Sequence, residues 1–347
     1  MNFLVLRHMG AFFGAFCLGL YLVPVLIRAA KKLRLVDVPD GKLKQHRAPV
    51  PYLGGVAVYV SFIVVLAMFF PSGTNLLWFI LGTTVLLFVG LIDDFSALSP
   101  LQKMGGQLVA VACFLKGGFS LKSRFFADYI NLFASGFWML SVINAFNLVD
   151  VMDGLAGMLA IIAAGSFLVV ALIIQQYVVS IFLITLLGAL FAFLVYNKPS
   201  AKIYLGDAGS LFVGGFLAAT PLLIRWTDIL DTHGALPSFA QGNMLFETGI
   251  SALVPMLFVG VPLLEVFSLI IIRKSKGLPF YCGGPQHFSS YLREKGWSDW
   301  RVLAFAGVSA LALSFCALLF MTGAISFMTL IWLLGVFLLL WVLLVFW

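Results

Sequence analysis

YVVSIFLITLLGALFAFLVY, residues 177–196, runs for twenty residues without a charge. Wound as an α-helix at about 1.5 Å per residue it is about 30 Å long, the thickness of a bilayer's hydrocarbon core. A helix also satisfies its own backbone N–H and C=O groups, which hydrocarbon cannot do. The stretch therefore reads as a membrane span, and the rest of the chain repeats it.

Working outward, similar runs lie near 9–30, 52–70, 76–92, 101–116, 130–148, 155–174, 208–224, 249–272, 302–321 and 325–346. With the opening stretch these predict an all-α integral membrane protein, a bundle of about eleven transmembrane helices, with ten as the near alternative. The composition agrees: 62% of residues are apolar and 10% charged, with a mean hydropathy of +1.10, far from the averages of soluble domains. The first run is long, lacks a small-residue cleavage pattern and leads into a basic loop, so it is read as a retained span.

Lys and Arg set the orientation. Of the 21, 16 fall in the loops after spans one, three, five, seven and nine. The positive-inside rule then places the N-terminus outside and the C-terminus in the cytoplasm. The net charge of +7 is thus a cytosolic feature suited to anionic lipid or an anionic substrate, and it argues against nucleic acid. Cys17, Cys113, Cys282 and Cys316 are scattered, which suggests neither a disulfide framework nor a zinc site. No repeat or soluble linker interrupts the chain, so residues 1–347 are read as one polytopic domain. Its cytosolic loops fall at about 31–51, 93–103, 147–154, 197–208 and 273–301.

Four polar clusters fall on that cytosolic side: LIDDFSALSPLQK with Asp93 and Asp94, NAFNLVDVMDGLAG at 144–157, IYLGDAGS with Asp207, and GGPQHFSSYLREKGW. An aspartate at the centre of a span costs about 2.5–3.5 kcal/mol, so these belong at helix ends. Any one of them could be a solvated cap, but their coincidence on one face points to chemistry. Ser99 before Pro100 reads as the N-cap of span four, Asp153 before Gly154 can cap span six, and Asp207 with Ser210 can serve the start of span eight. Such N-termini, with Lys103 one turn inside span four, favour a diphosphate, and a metal would neutralise what the carboxylates repel.

Spacing adds a constraint. Asn144, Asn147, Asp150 and Asp153 stand three apart, and each step turns a helical stripe by about −60°, so a straight helix would aim the first and last to opposite sides. The helix is therefore predicted to end between Asn147 and Asp150, with Val149 to Gly154 forming a loop that returns both carboxylates to the pocket. By the same geometry Asp93 and Asp94 diverge by about 100° and do not chelate one ion together on a continuing helix.

These motifs, with VDVPDGKLKQHRAPVPYLGG in the first loop, resemble the polyprenyl-phosphate N-acetylhexosamine-1-phosphate transferases over about residues 36–297. The resemblance is greatest to the bacterial undecaprenyl-phosphate N-acetylglucosamine-1-phosphate transferases, with the phospho-N-acetylmuramoyl-pentapeptide transferases more distant. It implies ten or eleven helices in the bacterial inner membrane, a cytosolic active site and dependence on magnesium, with manganese as a substitute. It also implies two partners, a UDP-amino sugar and a polyprenyl phosphate, and allows a homodimer. Carried over, it makes Asp93 and Asp94 the catalytic acidic pair, Lys103 a basic catalytic residue and Asp207 the metal ligand. Asn144, Asn147, Asp150, Asp153, Arg47 and Tyr52 become substrate-binding residues. The family's last loop usually carries a histidine cluster; here His287 is kept and Ser289 and Ser290 take the later positions, which can still donate hydrogen bonds but carry no charge.

The implied reaction transfers a sugar 1-phosphate from the nucleotide to the lipid phosphate, releasing UMP and initiating a lipid-linked cell-surface glycan. A phosphate monoester has a second pKa near 6, so a general base has little to gain, and positioning with charge neutralisation should dominate. A covalent aspartyl-phosphate route is the alternative mechanism. The alternative from another class is a multi-span transporter or ion-coupled carrier, which would place its acids near the midplane. Asp228, Asp231 and His233, in the outer segment led by Trp226, are read as a solvated loop or an interfacial helix, not a metal site.

Overall fold

The computed structural model describes residues 3–37, 49–69, 74–121, 123, 126–224, 226–237, 244–279, 284 and 286–347. In chain order the elements are α1 (Phe3–Leu33), β1 (Val36–Asp37), β2 (Val50–Pro51), α2 (Gly54–Phe69), α3 (Thr74–Phe95), α4 (Pro100–Lys116) and α5 (Asp128–Val149). They continue with α6 (Leu155–Ile173), α7 (Tyr177–Asn197), α8 (Gly206–Ala219), α9 (Trp226–Thr232), α10 (Met244–Phe258), α11 (Gly260–Ser275), α12 (Phe288–Glu294), α13 (Asp299–Met321) and α14 (Phe327–Phe346). The protein is an all-α, multi-span helical bundle. The strands form only a short antiparallel pair, Val36 opposite Pro51 and Asp37 opposite Val50.

Every predicted span coincides with helix, but not every one is a long, straight crossing. Among the described residues eight helices are long and apolar enough to span a bilayer, or nine if one bent pair counts as a single span. α2 and α4, at 16 and 17 residues, are shorter. The span expected at 249–272 is broken: its two parts meet at 96° around Val259. Pro262 explains the break, since it has no N–H for the Phe258 carbonyl and its ring clashes with that carbonyl in a continuous helix.

α8 lies at the centre, packed on α2, α3, α5 and α6, and it is the most enclosed of the long helices, while α1 and α14 are outermost. Small residues allow this. A Cβ on Gly90 of α3 would run into the backbone of Asp207 and Ala208, so glycine lets α3 press its last turns against the start of α8. Deeper in the bundle the rings of Phe62, Phe79, Phe182, Phe212 and Phe216 pack on one another, most at 5–6.5 Å between centroids. α9 is the short helix expected near Trp226, but that indole is buried against Phe167 and Phe258 and donates to the Pro221 carbonyl, so it is a core residue and not an interfacial one.

Candidate active site

Four helix ends meet at one end of the bundle: the C-termini of α3 and α5 and the N-termini of α4 and α8. Lys103, in the first turn of α4, is their hub. Its ammonium lies 2.8 Å from Asp93 Oδ2 and 2.9 Å from Asp207 Oδ2, and donates to Asn147 Oδ1 at 3.0 Å. Asn147 in turn donates to Asp207 Oδ1 at 2.6 Å and to Ser210 Oγ at 3.0 Å. Three separate sequence motifs thus share one hydrogen-bonded cluster.

The acidic pair divides its work, as a 100° separation requires. Asp93 faces Lys103, and its other oxygen accepts from Leu98 N–H at 2.6 Å, closing the turn into α4. Asp94 points to α8, where its two oxygens accept from the N–H groups of Asp207 and Ala208 at 2.9 and 3.1 Å. The cap of α8 therefore comes from α3, not from Asp207 or Ser210 as the local sequence suggested. Gly206 makes room: its φ is +72°, and a Cβ there would lie 2.7 Å from Asp94 Oδ2 and from the Tyr52 carbonyl.

Ser99 caps α4 as expected. Its hydroxyl accepts from Gln102 N–H while the Gln102 side chain accepts from Ser99 N–H, and Pro100 opens the helix. The N–H groups of Gln102 in α4 and of Asp207 and Ala208 in α8 are thus engaged by the protein's own side chains. Lys103 is the cation that faces the cluster among the described residues.

α5 ends at Val149, within the predicted window, and Asp150 to Gly154 lead into α6. Asp150 is raised well above the usual carboxylate range by burial and by the charges of Asp207, Asp94 and Asp153, so the turn brings it toward the cluster. Asp153 does not cap α6. Its carboxylate accepts from Ala201 N–H at 2.8 Å, while Gly154 N–H donates to Asn197, so the turn is stitched to the loop that precedes Asp207. That loop also pairs with β2 and the start of α2, Tyr204 N–H donating to the Pro51 carbonyl and Gly54 and Gly55 donating back to residues 204 and 205. Burial, with Asp153 and Asp37 nearby, pushes the Tyr204 phenol up to about 12, and Arg293 acts in the opposite sense.

The remaining predicted residues lie in other settings. Asn144 exchanges two amide hydrogen bonds with Gln107 of α4, at 2.8 and 3.2 Å, one turn away from Asn147 and Lys103. Tyr52 packs its ring against Phe95 at the end of α3. His287 and Ser289 are buried and Ser290 is half-buried. Arg47 and Cys282 fall outside the described residues. Two residues were missed: Gln107, whose polar side chain in an apolar helix was a usable signal, and Glu265, a carboxylate inside the ninth apolar run that meets His287.

Among the described residues no three His, Cys, Asp or Glu side chains are set to hold a metal ion. Mg²⁺ does not require such a cage, since it commonly takes one or two carboxylates and completes its shell with water and phosphate oxygens. The charge balance fits such an ion. Asp93 and Asp207 share the single Lys103 ammonium, and burial first, then the charges of Asp207, Asp94 and Asp153, raises Asp150 well above the usual carboxylate range.

A model of glycosyl transferase family 4 matches residues 76–225, the segment that carries every member of the Lys103 cluster. The phospho-N-acetylmuramoyl-pentapeptide-transferase of Bacillus thuringiensis (strain Al Hakam) is 31% identical over 319 residues, covering 83% of this chain and 90% of the relative. The protein of the same name from Bacillus cereus (strain AH187) matches to the same extent. By name both belong to the branch that the motifs alone set further off. The chain belongs to glycosyl transferase family 4, the superfamily of the polyprenyl-phosphate sugar-1-phosphate transferases.

Proposed function

We propose that the protein transfers an N-acetylhexosamine 1-phosphate from a UDP-sugar to polyprenyl phosphate at the cytosolic face of a bacterial inner membrane, releasing UMP. The observation that carries this reading is the Lys103 hub at the meeting of four helix ends. A site there can be reached by a soluble nucleotide from one side and by a phosphate anchored at the membrane surface from the other. A carrier would instead need its acids near mid-membrane, and these stand in the first or last turns of their helices.

In the reaction a lipid-phosphate oxygen attacks the phosphorus that bears the sugar, and the bond from that phosphorus to the UMP phosphate breaks. Asp207, with Asp150 beside it, would hold Mg²⁺, which when bound supplies positive charge to the diphosphate. Asp93 holds the Lys103 ammonium toward the gathering phosphoryl oxygens, and Asn147 keeps Asp207 in register with it. Asp94 acts one step back, fixing the backbone of Asp207. Because the acceptor phosphate is already largely ionised at neutral pH, these residues position and neutralise and need not deprotonate.

The test is incubation of the purified protein with polyprenyl phosphate, Mg²⁺ and a panel of donors: UDP-N-acetylglucosamine, other UDP-N-acetylhexosamines and UDP-N-acetylmuramoyl-pentapeptide. UMP release that requires both lipid and Mg²⁺ is expected with an N-acetylhexosamine donor. The motifs favour N-acetylglucosamine and the relatives' names favour the muramoyl-pentapeptide, so the panel also assigns the branch. Absence of release with every donor would defeat the proposal.

A further inference from the structure

The buried pair between α11 and the start of α12 plays no part in the Lys103 cluster. Glu265 is 1% exposed and lies in the helix that leaves the 96° bend, and His287 stands at the N-cap position of α12 without a capping hydrogen bond from its side chain. His287 Nδ1 sits 2.7 Å from Glu265 Oε1, and the second carboxylate oxygen accepts from Phe288 N–H at 3.3 Å. A carboxylate shut away from water is costly unless it is hydrogen-bonded, and both oxygens of Glu265 are engaged on one short stretch of chain. The stretch is held from its far side too: Phe288 packs on Trp341 of α14 at 5.1 Å between ring centroids.

A carboxylate can only accept here, so the ring must carry its proton at Nδ1, and Nε2 becomes the atom free to meet a ligand. Among the described residues Nε2 has no hydrogen-bond partner. α11 packs on α5, which carries Asn147, and Arg293 of α12 is close enough to act on Tyr204 in the loop before Asp207.

We infer that Glu265 is a positioning residue: it fixes His287 with Nδ1 protonated and turns Nε2 toward the phosphate oxygens of the nucleotide-sugar. This rests on the transferase reading above. It assigns the work of the last loop to one oriented imidazole, in a chain whose neighbouring Ser289 is buried and carries no charge.

The experiment pairs a spectroscopic readout with turnover. The chain has four histidines, so ¹⁵N-histidine spectra of the whole protein can be assigned to His287 by the signal lost in His287→Gln. In the parent protein Nδ1 should carry a proton. In Glu265→Gln, whose amide can either accept from or donate to Nδ1, that fixed signature should give way to a mixture of ring tautomers. The kcat should fall about tenfold or more with the KM for the nucleotide-sugar little changed. His287→Gln, whose amide nitrogen falls near the place of Nε2, should retain more turnover than His287→Asn, whose nitrogen falls near Nδ1.

A His287 signal with Nδ1 unprotonated, or one that Glu265→Gln leaves unmoved, would overturn the inference, as would a kcat unchanged in that variant. If the parent protein shows no turnover with any donor, the transferase reading fails, and the spectra still decide whether Glu265 sets the ring.

Discussion

Replacing Asp94 with asparagine tests whether the second aspartate of the pair binds ligands or holds the protein together. Its two oxygens accept from Asp207 and Ala208 N–H at the first turn of α8. Asparagine keeps the shape but offers one acceptor, and its NH₂ would face a second N–H donor. One hydrogen bond to a charged group, worth about 1.5–3 kcal/mol, is lost together with the favourable placement of a negative charge at a helix start, typically about 0.3–1 kcal/mol. A net cost of about 2–4 kcal/mol follows. If it appears as displacement of Asp207, turnover falls roughly 30-fold to nearly 1,000-fold. The assay is UMP release alongside thermal unfolding in detergent. Both should fall together, and neither raised pH nor excess Mg²⁺ should restore activity. Recovery in excess Mg²⁺ would show that Asp94 is a metal ligand and would refute the capping argument; so would a variant with unchanged turnover and unfolding midpoint.

Lys103→Met should lower turnover by about 100-fold or more, since it leaves Asp93 and Asp207 without their shared cation; Lys103→Arg should not restore it, because a planar fork cannot place one nitrogen within about 3 Å of all three partners. Gly206→Ala forces a left-handed residue with a side chain, at about 1–2 kcal/mol, and pushes on Asp94 and the Tyr52 carbonyl, so its unfolding midpoint and turnover should both fall as those of Asp94→Asn do. Asp150→Asn should act in the opposite direction on stability. The Asp150 carboxyl binds its proton more tightly in the folded protein than in the unfolded chain, so as pH rises above the ordinary carboxylate range its ionisation costs the folded state. Without Mg²⁺ the variant should unfold a few degrees higher than the parent at neutral pH, with the gain gone below about pH 4; a lower midpoint at neutral pH would contradict this.

What could be read from the sequence was what is local. The uncharged run at 177–196 needs no partner to be recognised as a span, and α7 occupies it. Ser99, Pro100 and Gln102 form a cap within four residues, and that cap is present. The break in the ninth span was also written locally, in Pro262, but a long apolar run hides a proline from a reading based on hydropathy alone. The failures were contacts between distant segments. Asp94 meets Asp207 N–H across 113 positions and Lys103 meets Asp207 across 104, so the partner is fixed by how closely α3, α4, α5 and α8 pack and not by any spacing in the chain. That is why Asp207 looked like a cap and proved to be the residue whose backbone is capped.

The resemblance could say which residues share a site, but not which of them hold the others in place. One part of that answer was nevertheless present in the residue order. Two adjacent aspartates on a continuing helix face about 100° apart, so they cannot serve one ligand equally, and the last turn of α3 has a neighbour on each side. Once α8 is pressed against α3 at Gly90, the face of Asp94 is the one that meets the start of α8, and Asp93 is left to Lys103. The close approach that a glycine permits thus decides the division of labour between two residues of identical chemistry. It also follows that enlarging Gly90 should impair the site through Asp94 and Asp207 while both aspartates remain in the sequence.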